Sequence, residues 1–168
     1  MKPYKTNDIG QKILEILADN AKFTPEEIAK QLKIKVPEVK KYIKQFEKDK
    51  IILSYKTLIN WQRVKQNEVK ALIEVKVAPA RNVGFDAIAE KIYRFPEVAA
   101  VYLLSGGYDL LVQIQGQTLK EVAFFVSEKL ATLDGVQSTV SHFLLKKYKE
   151  NNIIFTEIPK GKRLPVTP

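Results

Sequence analysis

The segment Thr24–Lys48, TPEEIAKQLKIKVPEVKKYIKQFEK, decides how the first third of the chain folds. Thr24 is a natural N-cap, Pro25 suits the first helical position, and Glu27 completes a capping box. Ile28 and Leu32 then give that helix an apolar side. A break of a few residues at Lys33–Lys35 precedes a third helix over Val36–Lys48. Val36, Val39, Tyr42, Ile43 and Phe46 fall on one face at 3.6 residues per turn, with Lys40, Lys41, Lys44 and Lys48 on roughly the opposite face. Upstream, Ile9, Ile13, Ile16 and Leu17 recur at helical spacing behind candidate caps at Thr6–Asp8. Two compact helices, a short turn and a third helix with a basic outer face make a helix-turn-helix pattern.

Downstream, IILSYKTLI is β-branched and apolar and is expected to form a strand or wing. The polar NWQRVKQNE then reads as a linker. EVKALIEVKV is a strand, and GFDAIAEKIYRF a helix stopped by Pro96. VAAVYLLS and YDLLVQIQG are two strands around Gly106–Gly107, TLKEVAFFVSEKLATL is a helix, and GVQSTVSHFLLKKY a last strand. The order β-α-β-β-α-β is that of a ferredoxin-like domain, whose antiparallel sheet has one bare face. A bare face carrying Leu, Val and Ile favours dimerisation. The fold class is therefore α+β: a winged helix-turn-helix domain over residues 1–60, a linker over 61–67, a ferredoxin-like domain over 68–150 and a tail over 151–168. In the tail, Ile153, Ile154 and Phe155 are expected to add an edge strand, and Lys160, Lys162 and Arg163 form a basic end.

Composition narrows the function classes. The chain has 168 residues, of which 45% are hydrophobic, enough for a packed core. It has no cysteine, so disulfide frameworks and thiolate chemistry are excluded. The beginning, MKPYKTNDIG, has no apolar run of a signal peptide, and no apolar stretch approaches the roughly 18 residues of a membrane span. A cytoplasmic protein without membrane partners is expected. The net charge of +9 is unevenly spread: residues 1–67 carry 15 Lys+Arg against 8 Asp+Glu, whereas residues 68–150 carry 10 of each. A basic small domain beside a neutral one points to a polyanion, double-stranded DNA, as partner of the first alone.

The lysine face suits phosphate neutralisation with counterion release. Lysine lacks the bidentate fork of arginine, so Lys40, Lys41, Lys44 and Lys48 suit phosphate and general groove contact better than the reading of one base. Lys35, Pro37 and Glu38 lie at the start of the same helix, and Lys22 and Thr24 stand where the second helix begins, in reach of a DNA backbone. Tyr42 lies near the apolar face and suits core packing. Gly106 and Gly107 fit a two-residue hairpin turn, which needs positive φ. A turn without Cβ atoms also exposes N–H groups to a carboxylate, and Asp109 beside it could accept from an ammonium group. An amino acid carries both charges. The single histidine, His142, falls on the last strand, and nothing in the sequence composes a metal site, a catalytic triad or a cofactor site.

The segments DIGQKILEILADNAKFTPEEIAKQLKI, VPEVKKYIKQFEKDKII, FPEVAAVYLLSGGYDLLVQI and LDGVQSTVS resemble the Lrp/AsnC family of transcription regulators across about residues 7–149. The resemblance implies a DNA-binding regulator tuned by an amino acid or related small molecule, and homodimers that assemble into tetramers or octamers. It places Ser105, Gly106, Gly107, Tyr108 and Asp109 in the effector pocket at the contact between dimers, with Thr139 and Ser141 among the polar positions lining it. Three positions depart from the family pattern: Lys35 stands where a serine usually caps the recognition helix, Tyr42 where an arginine is common, and Lys50 where a glycine commonly ends that helix. The last departure leads one to expect a different helix end. Two other readings are a ligand-sensing oligomeric module that does not bind DNA and an enzyme resembling the sirohaem decarboxylases, which use histidines on their substrate. No catalytic residue is assigned.

Overall fold

The computed structural model describes residue 4 and residues 6–64, 69–78 and 84–155. The chain divides into two compact units, Met1–Ile59 and Asn60–Pro168.

The first unit holds three helices, α1 (Asp8–Asp19), α2 (Pro25–Leu32) and α3 (Val36–Lys48). Each start has a local cause. The Asn7 side chain caps α1 by accepting from the Gly10 N–H. Thr24 and Glu27 form a reciprocal capping box at α2. Pro37 lies in the first turn of α3, which has no side-chain cap. The core is Ile13, Leu17, Ile28, Ala29, Val39 and Phe46, with Val36, Tyr42 and Ile43 packed partly buried around it. The apolar face read from the sequence therefore faces inward, and the lysine face outward.

The end of α3 corrects an expectation. Lys50 adopts the left-handed conformation, φ 57°, although it is not glycine. The Ile51 N–H then donates to the Phe46 carbonyl at 2.8 Å and the Lys50 N–H to the Glu47 carbonyl at 3.2 Å. These two bonds make a Schellman end. The helix thus ends as a glycine would end it, because Ile51 and Ile52 are drawn onto the core and force the chain to turn there. Residues 53–60 form no strand. Among the described residues the expected strand is therefore not formed within this chain: Ile51 and Ile52 are anchored by packing rather than pairing, and a strand needs a partner ladder. Trp61–Arg63 make one turn of 3-10 helix within the expected linker. The rest of that linker, Pro79 and the basic end Lys160, Lys162 and Arg163 lie outside the described residues.

The second unit is built on β1 (Val69–Val77), β2 (Val98–Leu103), β3 (Leu110–Gly116) and β4 (Val136–Phe143), in the order β2-β3-β1-β4 with every pair antiparallel. Helices α4 (Asp86–Tyr93) and α5 (Leu119–Phe124) connect β1 to β2 and β3 to β4. The second runs on into a π-helical turn, Phe125–Leu130. This is the ferredoxin-like topology. Alternation along the strands sends Ala71, Ile73, Val75, Val77, Leu110, Val112 and Ile114 into one core with Ile88, Ile92, Val122, Phe125 and Leu130. The opposite face presents Leu72, Glu74, Tyr102, Leu111, Gln113, Val140 and His142 without a helix over it.

Ile153 and Ile154 do not join this sheet. They form β6 (Ile153–Ile154), paired with β5 (Lys149–Glu150) as a separate hairpin. Asn151 and Asn152 both take positive φ between them, which closes the chain on itself before it can reach the sheet edge.

Candidate nucleic-acid and effector sites

Lys35, Pro37, Glu38, Lys40, Lys41, Lys44 and Lys48 are all exposed on or at the start of α3. Spacing at 3.6 residues per turn brings the α3 lysines together into one basic surface. No ion pair among the described residues engages Lys41, Lys44 or Lys48. Lys40 differs: its Nζ lies 2.9 Å from Oε1 of Glu26 on α2, with both side chains 58% exposed. That ammonium donates to the Glu26 carboxylate and holds it below the usual carboxylate range.

Lys22 and Thr24 are exposed before α2, but the Thr24 hydroxyl is already engaged. It accepts from the Glu27 N–H at 3.2 Å and donates to Glu27 Oε2 at 2.9 Å, while the Thr24 N–H donates to the same oxygen at 2.8 Å. The backbone donor and the hydroxyl of Thr24 lower the Glu27 pKa. Tyr42 is half-buried, accepts from Asn7 Nδ2 at 2.6 Å and sits 5.9 Å from the Phe46 ring, which is a packing role.

The loop between β2 and β3 differs from the two-residue turn expected of Gly106–Gly107. Gly106 is near-extended at φ 159°, and Gly107 is not among the positive-φ residues. The loop is four residues long, Ser105–Tyr108, closed by the Leu104 N–H donating to the Asp109 carbonyl at 2.9 Å. The cause is Asp109. Its N–H donates to the Val75 carbonyl at 3.1 Å, and its Oδ2 accepts from the Val77 N–H at 2.8 Å. Asp109 is thus a strand-end residue tied to β1, and the turn opens between it and Leu104. One carboxylate oxygen is occupied by this backbone bond. Ser105, Gly106 and Gly107 are exposed, and a Cβ built on either glycine meets nothing within 4 Å. The positive φ of Gly106 disfavours a side chain there, whereas nothing within the chain requires Gly107 to lack one. Thr139 pairs with Val75, the residue that also pairs with Leu110, so it lies in the same row of the sheet as the loop's end. Ser141, opposite Ile73, is one step further along β4 on the same face.

Two features had no sequence signal. Glu97 Oε1 meets Lys129 Nζ at 2.5 Å beside a cleft at the other end of β3, and that ammonium holds the Glu97 carboxyl low. His142 Nε2 lies 3.1 Å from Glu74 Oε1 across β4 and β1. Both pairs join residues far apart in the chain, the first brought together by packing of the helix that carries Lys129 and the second by the register of β1 and β4. No helix of the described residues is long and apolar enough to cross a membrane.

A three-helix unit with a basic third helix, followed by a ferredoxin-like domain with a stripped loop, defines a class of DNA-binding regulators that carry their own ligand-binding domain. Comparison with known proteins gives the family. The Lrp/AsnC ligand binding domain matches residues 70–154, and a winged helix-turn-helix DNA-binding domain matches residues 6–52. The chain is 51% identical over 165 residues to the HTH-type transcriptional regulator YugG of Bacillus subtilis (strain 168), covering 98% of this chain and 99% of that one. It is 33% identical to the HTH-type transcriptional regulator LysM of Sulfurisphaera tokodaii, covering 80% and 91%. Among solved structures, the L-Met complex of transcriptional regulator NMB0573 from Neisseria meningitidis is similar at 26% identity and a TM-score of 0.70, covering 87% and 94%. The E. coli AsnC structure shares the fold at a TM-score of 0.68 and 20% identity, covering 88% and 97%. The chain belongs to the Lrp/AsnC family of transcriptional regulators.

Proposed function

We propose that this regulator binds double-stranded DNA through the lysine face of α3 and that an amino acid bound at Ser105–Asp109 changes that binding through assembly of the chain. The observation that carries the effector half is the loop itself. Gly107 lacks a side chain where neither its backbone conformation nor any neighbour in the chain requires it. The loop is also anchored to β1 through Asp109, so its N–H groups are held in place for a carboxylate. The L-Met complex of the Neisseria protein supports an amino acid as the ligand class. The bare sheet face, with Tyr102 and Val140 about half exposed, supports dimers formed through the sheet, which then assemble into tetramers or octamers. Thr139, in the same sheet row as the end of the loop, and Ser141 beyond it are assigned to the same site as polar contacts. The protein acts in the cytoplasm as a regulator and not as an enzyme.

For the ligand to act, it must bind two assemblies with different affinity. Isothermal titration of the twenty amino acids into the full chain and into Gly107→Val tests the loop. At least one amino acid is expected to bind the wild type and to bind the variant more than tenfold more weakly, with unchanged far-UV circular dichroism. Equal binding by both proteins, or no binding by the wild type, would contradict the assignment.

A further inference from the structure

The pair between Glu26 and Lys40 bears on how the DNA-binding unit treats phosphate. The two residues come from different helices of the helix-turn-helix, and their charged ends meet at 2.9 Å. Both remain more than half exposed, so the pair is open to exchange with an outside anion. Lys40 lies on the second turn of α3, in the half of that helix that approaches DNA. Lys41, Lys44 and Lys48 on the same face have no such partner among the described residues. The reciprocal capping box of α2 is closed by Thr24 with Glu27 and does not use Glu26.

We propose that Glu26 is a specificity-determining residue: its carboxylate occupies Lys40 as an internal stand-in for a DNA phosphate. This rests on the reading that α3 meets DNA. While Lys40 is held by Glu26 it neutralises no phosphate and displaces no cation from the DNA, so the pair contributes nothing to phosphate-driven, sequence-independent binding. The carboxylate left behind also faces the phosphates. Glu26 thereby lowers affinity for DNA that offers only its backbone, and leaves discrimination to groups that read the bases.

Fluorescence anisotropy with a labelled duplex of random sequence tests this in full-length wild type, Glu26→Gln, Lys40→Gln and the double variant. Glu26→Gln is expected to bind more tightly, with a salt slope steeper by about 0.9, the value of one added phosphate contact. Its advantage over wild type therefore shrinks roughly threefold between about 50 and 200 mM salt. In the Lys40→Gln background the same substitution is expected to leave the slope unchanged. Equal slope and affinity for Glu26→Gln and wild type would overturn the proposal, as would the same slope change without Lys40. A wild type that binds no duplex at low salt would instead overturn the DNA reading on which the proposal rests. A merely structural role for Glu26 would move the melting temperature and leave the slope alone.

Discussion

At the scale of single residues, Lys50 and Asp109 set the ends of their elements. Lys50 holds a left-handed conformation that disfavours any residue with a Cβ. The Schellman bonds to Phe46 and Glu47 and the packing of Ile51 and Ile52 outweigh that cost. Lys50→Gly should therefore stabilise the protein by about 1 kcal/mol, measured as a higher urea midpoint at unchanged slope. A lower midpoint would show that Lys50 does not carry the strain. The family pattern marks this position as unusual, yet the helix end itself is legible from IILS, whose two isoleucines must return to the core. Asp109 was less legible. Its carboxylate bond to Val77 spans 32 residues, and no local pattern reports that one oxygen of a candidate ligand-binding carboxylate is already held by the backbone.

At the scale of elements, the helices were readable because their signals are local. TPEE specifies the start of α2, and a 3.6-residue period specifies which face of α3 is buried. The strand after α3 was not readable, because a β-branched run becomes a strand only if another strand pairs with it. The loop at Gly106–Gly107 was half readable: its place was clear, but its length follows from what Asp109 binds on β1. The capping box also predicts a pH dependence. Glu27 and Glu26 have lowered pKa values in the folded chain, from the Thr24 backbone and hydroxyl in one case and Lys40 in the other. A lowered folded pKa means that the unfolded chain binds more protons. The stabilisation is then complete above the ordinary glutamate value of about 4.3 and fades as pH falls through the lowered one. Thr24→Ala should be less stable than wild type at pH 7, and this difference should shrink by pH 3. A difference of the same size at both values, by urea denaturation, would refute the role of the carboxylate in the cap.

At the scale of the whole molecule, the division of charge carries most of the functional reading. The excess of positive charge lies in residues 1–67, and residues 68–150 are balanced. The first unit answers to a polyanion, and the second has a neutral domain with a ferredoxin-like sheet and a stripped loop. The order of elements made this architecture legible. Pairs such as Glu26 with Lys40, Glu97 with Lys129 and His142 with Glu74 were not, since each depends on packing or register between distant segments. The first of them distinguishes Lys40 from the other lysines of the α3 face, which the sequence presents as equivalent.

The central claim is that DNA binding by α3 and ligand binding in the second unit are coupled. The most direct test is fluorescence anisotropy of the full chain on the DNA upstream of its own gene, across a salt series, with and without the pool of twenty amino acids. The account predicts tight binding that weakens steeply with salt and an affinity that shifts when the pool is present. Salt-steep binding that ignores the pool would contradict the coupling to an amino acid, and no binding at low salt would contradict the DNA-binding role of the α3 face.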